Sequence, residues 1–315
     1  MAEPSIIFFG NERLATGVTT EVTTLKALLD AGYHVAAAVS HNEATSSRKQ
    51  RMLEIAEVAT SHNIPVHLPA KPADILDQLA AYKADIGVLV AYGKIVPQEV
   101  IDLFPHGIIN IHPSLLPRHR GSTPLESVIL SGEKETGVSV MGLAQAMDAG
   151  PVYAQETVPL TGNETNQALA DELLTVGSKL ILQVLPDALA GTAQPTPQDD
   201  SAATYDELIE KQDGQLDFSK PAQQLEREVR AYFGWPQSRT TIGNKEVIIT
   251  QAHVVPASSI QNPESLPNEP GTIWQDGKQL GFYTTEGILA IDTLKPAGKG
   301  EMSAAAFLAG NKLPL

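Results

Sequence analysis

"DIGVLVAYGKIVPQEVIDLFPHGIINIHPS", Asp85–Ser114, decides the fold class. Its two apolar runs, "IGVLVA" and "GIINI", lack polar alternation, so each reads as a strand covered on both faces. "PQEVIDLFPHG" between them reads as a short helix. Strand, helix, strand in so short a span means a βαβ unit and a parallel sheet. The second strand ends unusually: Asn110 and His112 are two residues apart, so on an extended backbone they point to one side. They also sit at the carboxyl end of the strand, where parallel sheets hold ligands.

The pattern continues outward in both directions. Ile6–Phe9 and "HVAAAVS" read as strands, and Glu21–Gly32, Arg48–Asn63 and "PADILDQLAAYKA" as helices. "TGVSVMGLAQAMDAG", Thr136–Gly150, reads as a strand running into a turn that carries Asp148, and Asn163–Leu189 as a long amphipathic helix. Residues 190–205 are small, polar and Pro-bearing, which predicts a linker between a domain at 1–189 and another at 206–315. The second domain opens with the helix "PAQQLEREVRAYFGWP". Short strands with Gly turns follow, as in a small barrel or sandwich.

Composition narrows the function classes. At 42% hydrophobic and 19% charged residues the 315-residue chain is globular. The absence of cysteine excludes disulfides and thiolate chemistry. The eight histidines show no metal-ligand spacing, so no metal is expected. No unbroken apolar run is long enough for a membrane helix, and "MAEPSIIFFG" leaves no room for a signal peptide. The expected setting is therefore the cytoplasm. The net charge of −15 argues against a phosphate-rich partner.

Asn110, His112 and Asp148 form a chemically coherent set. Histidine serves as general acid or base, an asparagine amide stabilises a developing oxyanion, and an aspartate orients an imidazole. No Gly-x-Ser-x-Gly elbow is present, so the set favours direct attack of an amine or water on a carbonyl. On spacing alone the same residues also fit a capping asparagine, a core histidine and a turn aspartate.

The run "NIHPSLLPRHRGSTPLESVILSGEKETGVSVMGLAQAMDAGPVYAQE" resembles the catalytic segment of the 10-formyltetrahydrofolate-dependent formyltransferases. That resemblance implies a Rossmann-like domain in which Asn110, His112 and Asp148 are the catalytic trio. It further implies that Ser114, Leu115, Leu116 and Pro117 form the folate loop, and that Leu89, Val90, Ala91 and Tyr92 lie along the pterin of 10-formyltetrahydrofolate. "TYDELIEKQDGQLDFSKPAQQLEREVRAYFGWP" and "LKPAGKGEMSAAAFLAG" are similar to the branch of the family that formylates initiator methionyl-tRNA, which implies a C-terminal OB-like β-barrel. Arg48, Lys49 and Arg51 occupy the place of the family's acceptor-stem loop. Arg118 and Arg120, flanking His119, fit either contact with the tRNA or the balancing of acidic neighbours, and are taken as tRNA contacts. The expected partners are thus the tRNA and the folate, for a chain acting as a monomer. Three features depart from the resemblance. Pro151 replaces a common acidic residue, "FFGNERLA" replaces a Gly-Thr-Pro turn, and the C-terminal part from Asp206 carries 10 Lys and Arg against 14 Asp and Glu.

Overall fold

The computed structural model describes residues 4–19, 21–41, 53–256 and 269–311. They divide into two compact units: Met1–Leu125, Lys134–Leu160 and Ala168–Glu207 form the first, and Glu126–Glu133, Thr161–Gln167 and Leu208–Leu315 the second.

The first unit is a seven-stranded sheet in the order β3-β2-β1-β4-β5-β6-β7. Its strands are β1 (Ser5–Gly10), β2 (His34–Val39), β3 (Val66–His67), β4 (Ile86–Val90), β5 (Ile108–His112), β6 (Glu135–Gly142) and β7 (Val152–Pro159). Helices α1 (Thr23–Asp30), α2 (Glu54–Ser61), α3 (Leu76–Ala81) and α4 (Gln98–Ile101) link β1 to β5, which are mutually parallel. Every residue of β1, β4 and β5 is buried, which is why these strands read as unbroken apolar runs.

The chain winds outward from β1 to β3, then returns to place β4 on the other side of β1. The strand order therefore reverses between β1 and β4, and a crevice opens at their carboxyl ends. Gly10 pairs there with Val90, and Leu89 with Asn110, so the folate and catalytic candidates meet at one edge. Gly10 has φ +141°, and a Cβ on it would lie 1.9 Å from the Val90 carbonyl oxygen. Only glycine lets β1 turn away this close to β4.

Two features correct the sequence expectation. Strand β7 was not anticipated, and β6 and β7 each run antiparallel to the preceding strand, so the sheet is mixed. The return from β5 to β6 passes through α5 (Pro124–Ser131) and reverses the strand direction. Hydrophobic periodicity reports burial and not strand sense, so this reversal leaves no mark on it.

Helix α6 (Asn166–Ala190) is long and apolar enough to cross a membrane by composition alone. Leu169, Leu173, Ile181 and Leu185 on it are nonetheless fully buried. At Gly177 a Cβ would lie 2.5 Å from the Ile111 side chain, so the helix is pressed onto the sheet. Residues 190–205, expected as a linker, run along the first unit, where Thr196 forms a two-way backbone bridge with Val152.

The second unit holds α7 (Ala222–Ala231), β8 (Ser238–Ile242), β9 (Lys245–Val255), β10 (Ile273–Asp276), β11 (Gln279–Tyr283), β12 (Ile288–Pro296), β13 (Met302–Ser303) and α8 (Ala304–Ala309). Where the sequence reading expects a small barrel or sandwich, its strands make an antiparallel sheet in the order β10-β11-β12-β9-β8 with β13 beside β12. Leu225 and Val229 of α7 pack with Ile249, Leu289 and Phe307 in its core.

The "FFGNERLA" turn has a specific local role. Glu12, 1% exposed, accepts the backbone N–H groups of Thr24 at 3.1 Å and Leu25 at 2.7 Å, capping α1 with a buried carboxylate. Burial outweighs these donors and lifts its pKa from 4.5 to about 7. The folded state thus holds a proton there that the unfolded chain has released, so stability falls as pH rises through that window, by up to about 3 kcal/mol. We expect the urea midpoint of the wild type to fall from pH 5 to pH 8 relative to that of Glu12→Gln. Parallel profiles for the two proteins would contradict this account of Glu12.

Candidate active site

The site is built on the end of β5. Asn110 and His112 are buried, at 8% and 4% exposure, and face one side of the sheet. The His112 Nε2 lies 2.8 Å from the carbonyl oxygen of His119. A carbonyl only accepts, so Nε2 carries a hydrogen and Nδ1 is the ring atom whose protonation is variable. Nδ1 faces the Asp148 carboxylate at 3.7 Å.

Asp148 reaches this position by an indirect route. Gly142, at the end of β6, pairs with Ile109, near the start of β5. The β6–β7 loop must therefore fold back along β5 to bring Asp148 to His112. Its turn is closed by the Gly142 N–H on the Pro151 carbonyl at 2.9 Å, so proline at this position serves through its backbone oxygen. Asp148 has φ +49°, and its Oδ2 accepts the Gly121 N–H at 2.9 Å. The Asn110 Nδ2 meets only the Met141 sulfur, at 3.9 Å, among the described residues. So weak a contact leaves the amide hydrogens able to serve a stronger acceptor.

The loop after β5 has its polar groups satisfied internally. Ser114 is fully buried, and its Oγ donates to the Arg118 carbonyl at 2.8 Å. Ser139 on β6 donates to the Ser114 carbonyl at 2.6 Å and accepts from the Leu116 N–H at 3.1 Å. Gln155 on β7 donates to the Leu116 carbonyl and to Ser139 Oγ, both at 2.8 Å. Leu116 is buried, whereas Leu115 and Pro117 stay partly exposed, so the loop offers an apolar shelf. At the end of β4, the Val90 and Tyr92 side chains are buried in the core. Leu89 and Val90 have neighbouring strands on both sides, and Ala91, with φ +49°, is where the backbone leaves the sheet. An apolar shelf and a freed backbone edge are the two features a flat heteroaromatic ring calls on, for stacking on its faces and hydrogen bonds at its rim.

The basic rim divides. Arg118 is exposed. Arg120, expected at the tRNA, is instead 1% exposed. Its guanidinium donates to Gln198 Oε1 at 3.1 and 2.9 Å, to the Tyr205 hydroxyl at 3.0 Å and to Asp200 Oδ1 at 2.7 Å. His119 pairs with Asp206 through Nδ1 at 2.9 Å, and its N–H donates to Thr204 Oγ1 at 2.8 Å. Both residues therefore balance acidic neighbours, and Arg120 is an internal strut. Arg48, Lys49 and Arg51 lie outside the described residues. Sequence reading missed Gln198, Thr204 and Asp206 as supports of the site, because nothing local marks a residue whose partner lies about fifty to ninety positions away.

Residues 10–185 match the family described as Formyl transferase, and residues 208–312 match Formyl transferase, C-terminal domain. The chain is 35% identical to the methionyl-tRNA formyltransferase of Myxococcus xanthus, over 99% of this chain and 97% of that one. HypX from Aquifex aeolicus in complex with tetrahydrofolic acid superposes with a TM-score of 0.66 at 20% identity, over 98% of this chain and 47% of that one. This chain thus spans about half of HypX. The methionyl-tRNA formyltransferase of Clostridium thermocellum gives a TM-score of 0.52 at 16% identity, over 83% of this chain and 95% of that one.

Ser139 ties the loop after β5 to β6 through one hydroxyl. Ser139→Ala strands the Ser114 carbonyl and the Leu116 N–H in the interior, at a cost of about 1–3 kcal/mol. Urea unfolding should show a midpoint lowered accordingly, and an unchanged midpoint would show that the hydroxyl does not hold the loop.

Proposed function

The chain belongs to the formyl transferase family, and from that membership together with the cluster of Asn110, His112 and Asp148 we infer that it transfers a formyl group from 10-formyltetrahydrofolate to the α-amino group of initiator methionyl-tRNA. The single observation that carries the reading is the His112–Asp148 approach at 3.7 Å, beside an Asn110 amide with no strong partner among the described residues.

The folate supplies an activated formyl group, and the protein's part is positioning, charge stabilisation and proton movement. Asn110 Nδ2 donates a hydrogen bond to the formyl oxygen as negative charge develops there. The attacking amine must lose a proton. His112 takes it on Nδ1, because Nε2–H is committed to the His119 carbonyl, and returns it to N10 of the folate as the bond between N10 and the formyl carbon breaks. The imidazolium so formed faces the Asp148 carboxylate, which offsets its charge. Leu115 and Pro117 form the shelf on which the pterin stacks, and the backbone at Ala91 and Tyr92 meets the ring's polar edge.

Residues 1–189 act as the catalytic domain, and 206–315 as an OB-like tRNA-binding domain reached through 190–205. Because the chain is acidic overall, tRNA contact rests on local cations. Arg118 serves at the acceptor end, and Arg48, Lys49 and Arg51 at the stem. We take the protein to work in the cytoplasm as a monomer, without a metal.

Incubation with 10-formyltetrahydrofolate and charged initiator methionyl-tRNA, beside a sugar amine and a no-acceptor control, tests the reading. Formylation of the tRNA alone is expected. Folded Asn110→Ala should lose on the order of 100- to 1000-fold in kcat, and near-full turnover by it would remove Asn110 from this role. Arg118→Ala should raise the KM for tRNA and flatten its salt dependence, with unchanged kinetics sinking that contact.

A further inference from the structure

The mechanism leaves one connected set of side chains unused. Gln198 lies in the 190–205 segment. Its Nε2 donates to the Asp148 carbonyl and to the Gly150 carbonyl, both at 2.7 Å. Its Oε1 accepts two N–H groups of the buried Arg120, at 3.1 and 2.9 Å. The amide thereby uses two donors and two acceptor positions, its full capacity. It also has one orientation: a flipped amide would set NH2 against guanidinium N–H groups and oxygen against two carbonyls. Arg120 is held in turn by Asp200, by the Tyr205 hydroxyl and by the Tyr205 ring at 5.7 Å.

Asp148 needs such a hold. A non-glycine residue at φ +49° occupies a sparsely populated backbone region and persists only when its surroundings fix it. The Gly121 N–H fixes its carboxylate, and the Gln198 amide is the side chain that fixes its carbonyl. We propose that Gln198 is a positioning residue for formyl transfer: clamped by Arg120, it holds the backbone of Asp148–Gly150 so that the Asp148 carboxylate meets Nδ1 of His112. The segment that connects the two sequence domains is thus part of the active-site framework. This proposal rests on the formyl-transfer reading above.

Gln198→Glu keeps an oxygen for Arg120 but turns its other oxygen toward two carbonyls, which pushes the Asp148 backbone away. Misplacement of a reacting group by about 1 Å costs roughly 100-fold. We expect kcat to fall about 10- to 100-fold by that principle, with the KM values for folate and tRNA held within about 2-fold as for a loss confined to the transition state. In an Asp148→Asn background the same substitution should change kcat by less than about 2-fold, because groups acting as one unit are not additive. Multiplying losses, or a loss confined to KM, would overturn the proposal. If Gln198→Glu does not fold, the same cycle is read on Gln198→Asn, which keeps the amide one methylene short. A substrate-free readout accompanies it: the Nδ1 resonance of His112 should move in the variant. Movement without wild-type turnover would sink the formyl-transfer reading and leave the placement of Asp148 standing. Wild-type turnover with neither kcat nor the resonance changed would sink the placement.

Discussion

The hydrogen bond from His112 Nε2 to the His119 carbonyl, at 2.8 Å, is the contact on which the site depends. It fixes the ring plane, commits one ring nitrogen as a donor and leaves Nδ1 to face Asp148. To present that carbonyl, His119 adopts φ +59°, a conformation that costs an L-residue free energy. Thr204, through the His119 N–H, and Asp206, through its Nδ1, hold it there. The imidazole is therefore oriented by backbone on one nitrogen and opposed by a carboxylate on the other. In catalytic triads a carboxylate holds the ring and the opposite nitrogen does the proton transfer. Here a neutral carbonyl does the holding, so the ring nitrogen left open to a proton is also the one beside the charge.

The fold makes this arrangement possible through two geometric facts. The reversal of strand order between β1 and β4 opens the sheet edge beside β5, with Gly10 allowing the close turn. The antiparallel β6–β7 hairpin then sends its loop back over β5, which delivers Asp148 from a strand whose end points the other way. A parallel β6 would have ended at the edge that carries His112, but it would have left no hairpin whose loop meets Gln198.

Much of the sheet was legible because strands buried on both faces leave a compositional trace, as "IIFF", "IGVLVA" and "GIINI" do. Same-side placement of Asn110 and His112 followed from the two-residue period. The sense of β6 and the existence of β7 were not legible, since periodicity carries no direction and β7 is a half-exposed edge strand. Asp148 could be placed on a turn and grouped with the pair by chemical type, but its role as their partner came through resemblance, and its approach to His112 is a product of loop folding. Arg120 illustrates the opposite limit. A basic residue in a Pro- and Gly-rich loop reads as surface, because its partners Gln198, Asp200 and Tyr205 lie 78 to 85 positions away. Gln198, in a stretch that reads as a polar linker, was invisible for the same reason.

The central claim concerns one proton. Nitrogen NMR of the neutral His112 ring, assigned by comparison with His112→Gln, reports which nitrogen carries it. The account predicts the hydrogen on Nε2, with Nδ1 showing the resonance of an unprotonated nitrogen. A neutral ring carrying its hydrogen on Nδ1 would contradict the His119 contact and the direction of proton transfer built on it.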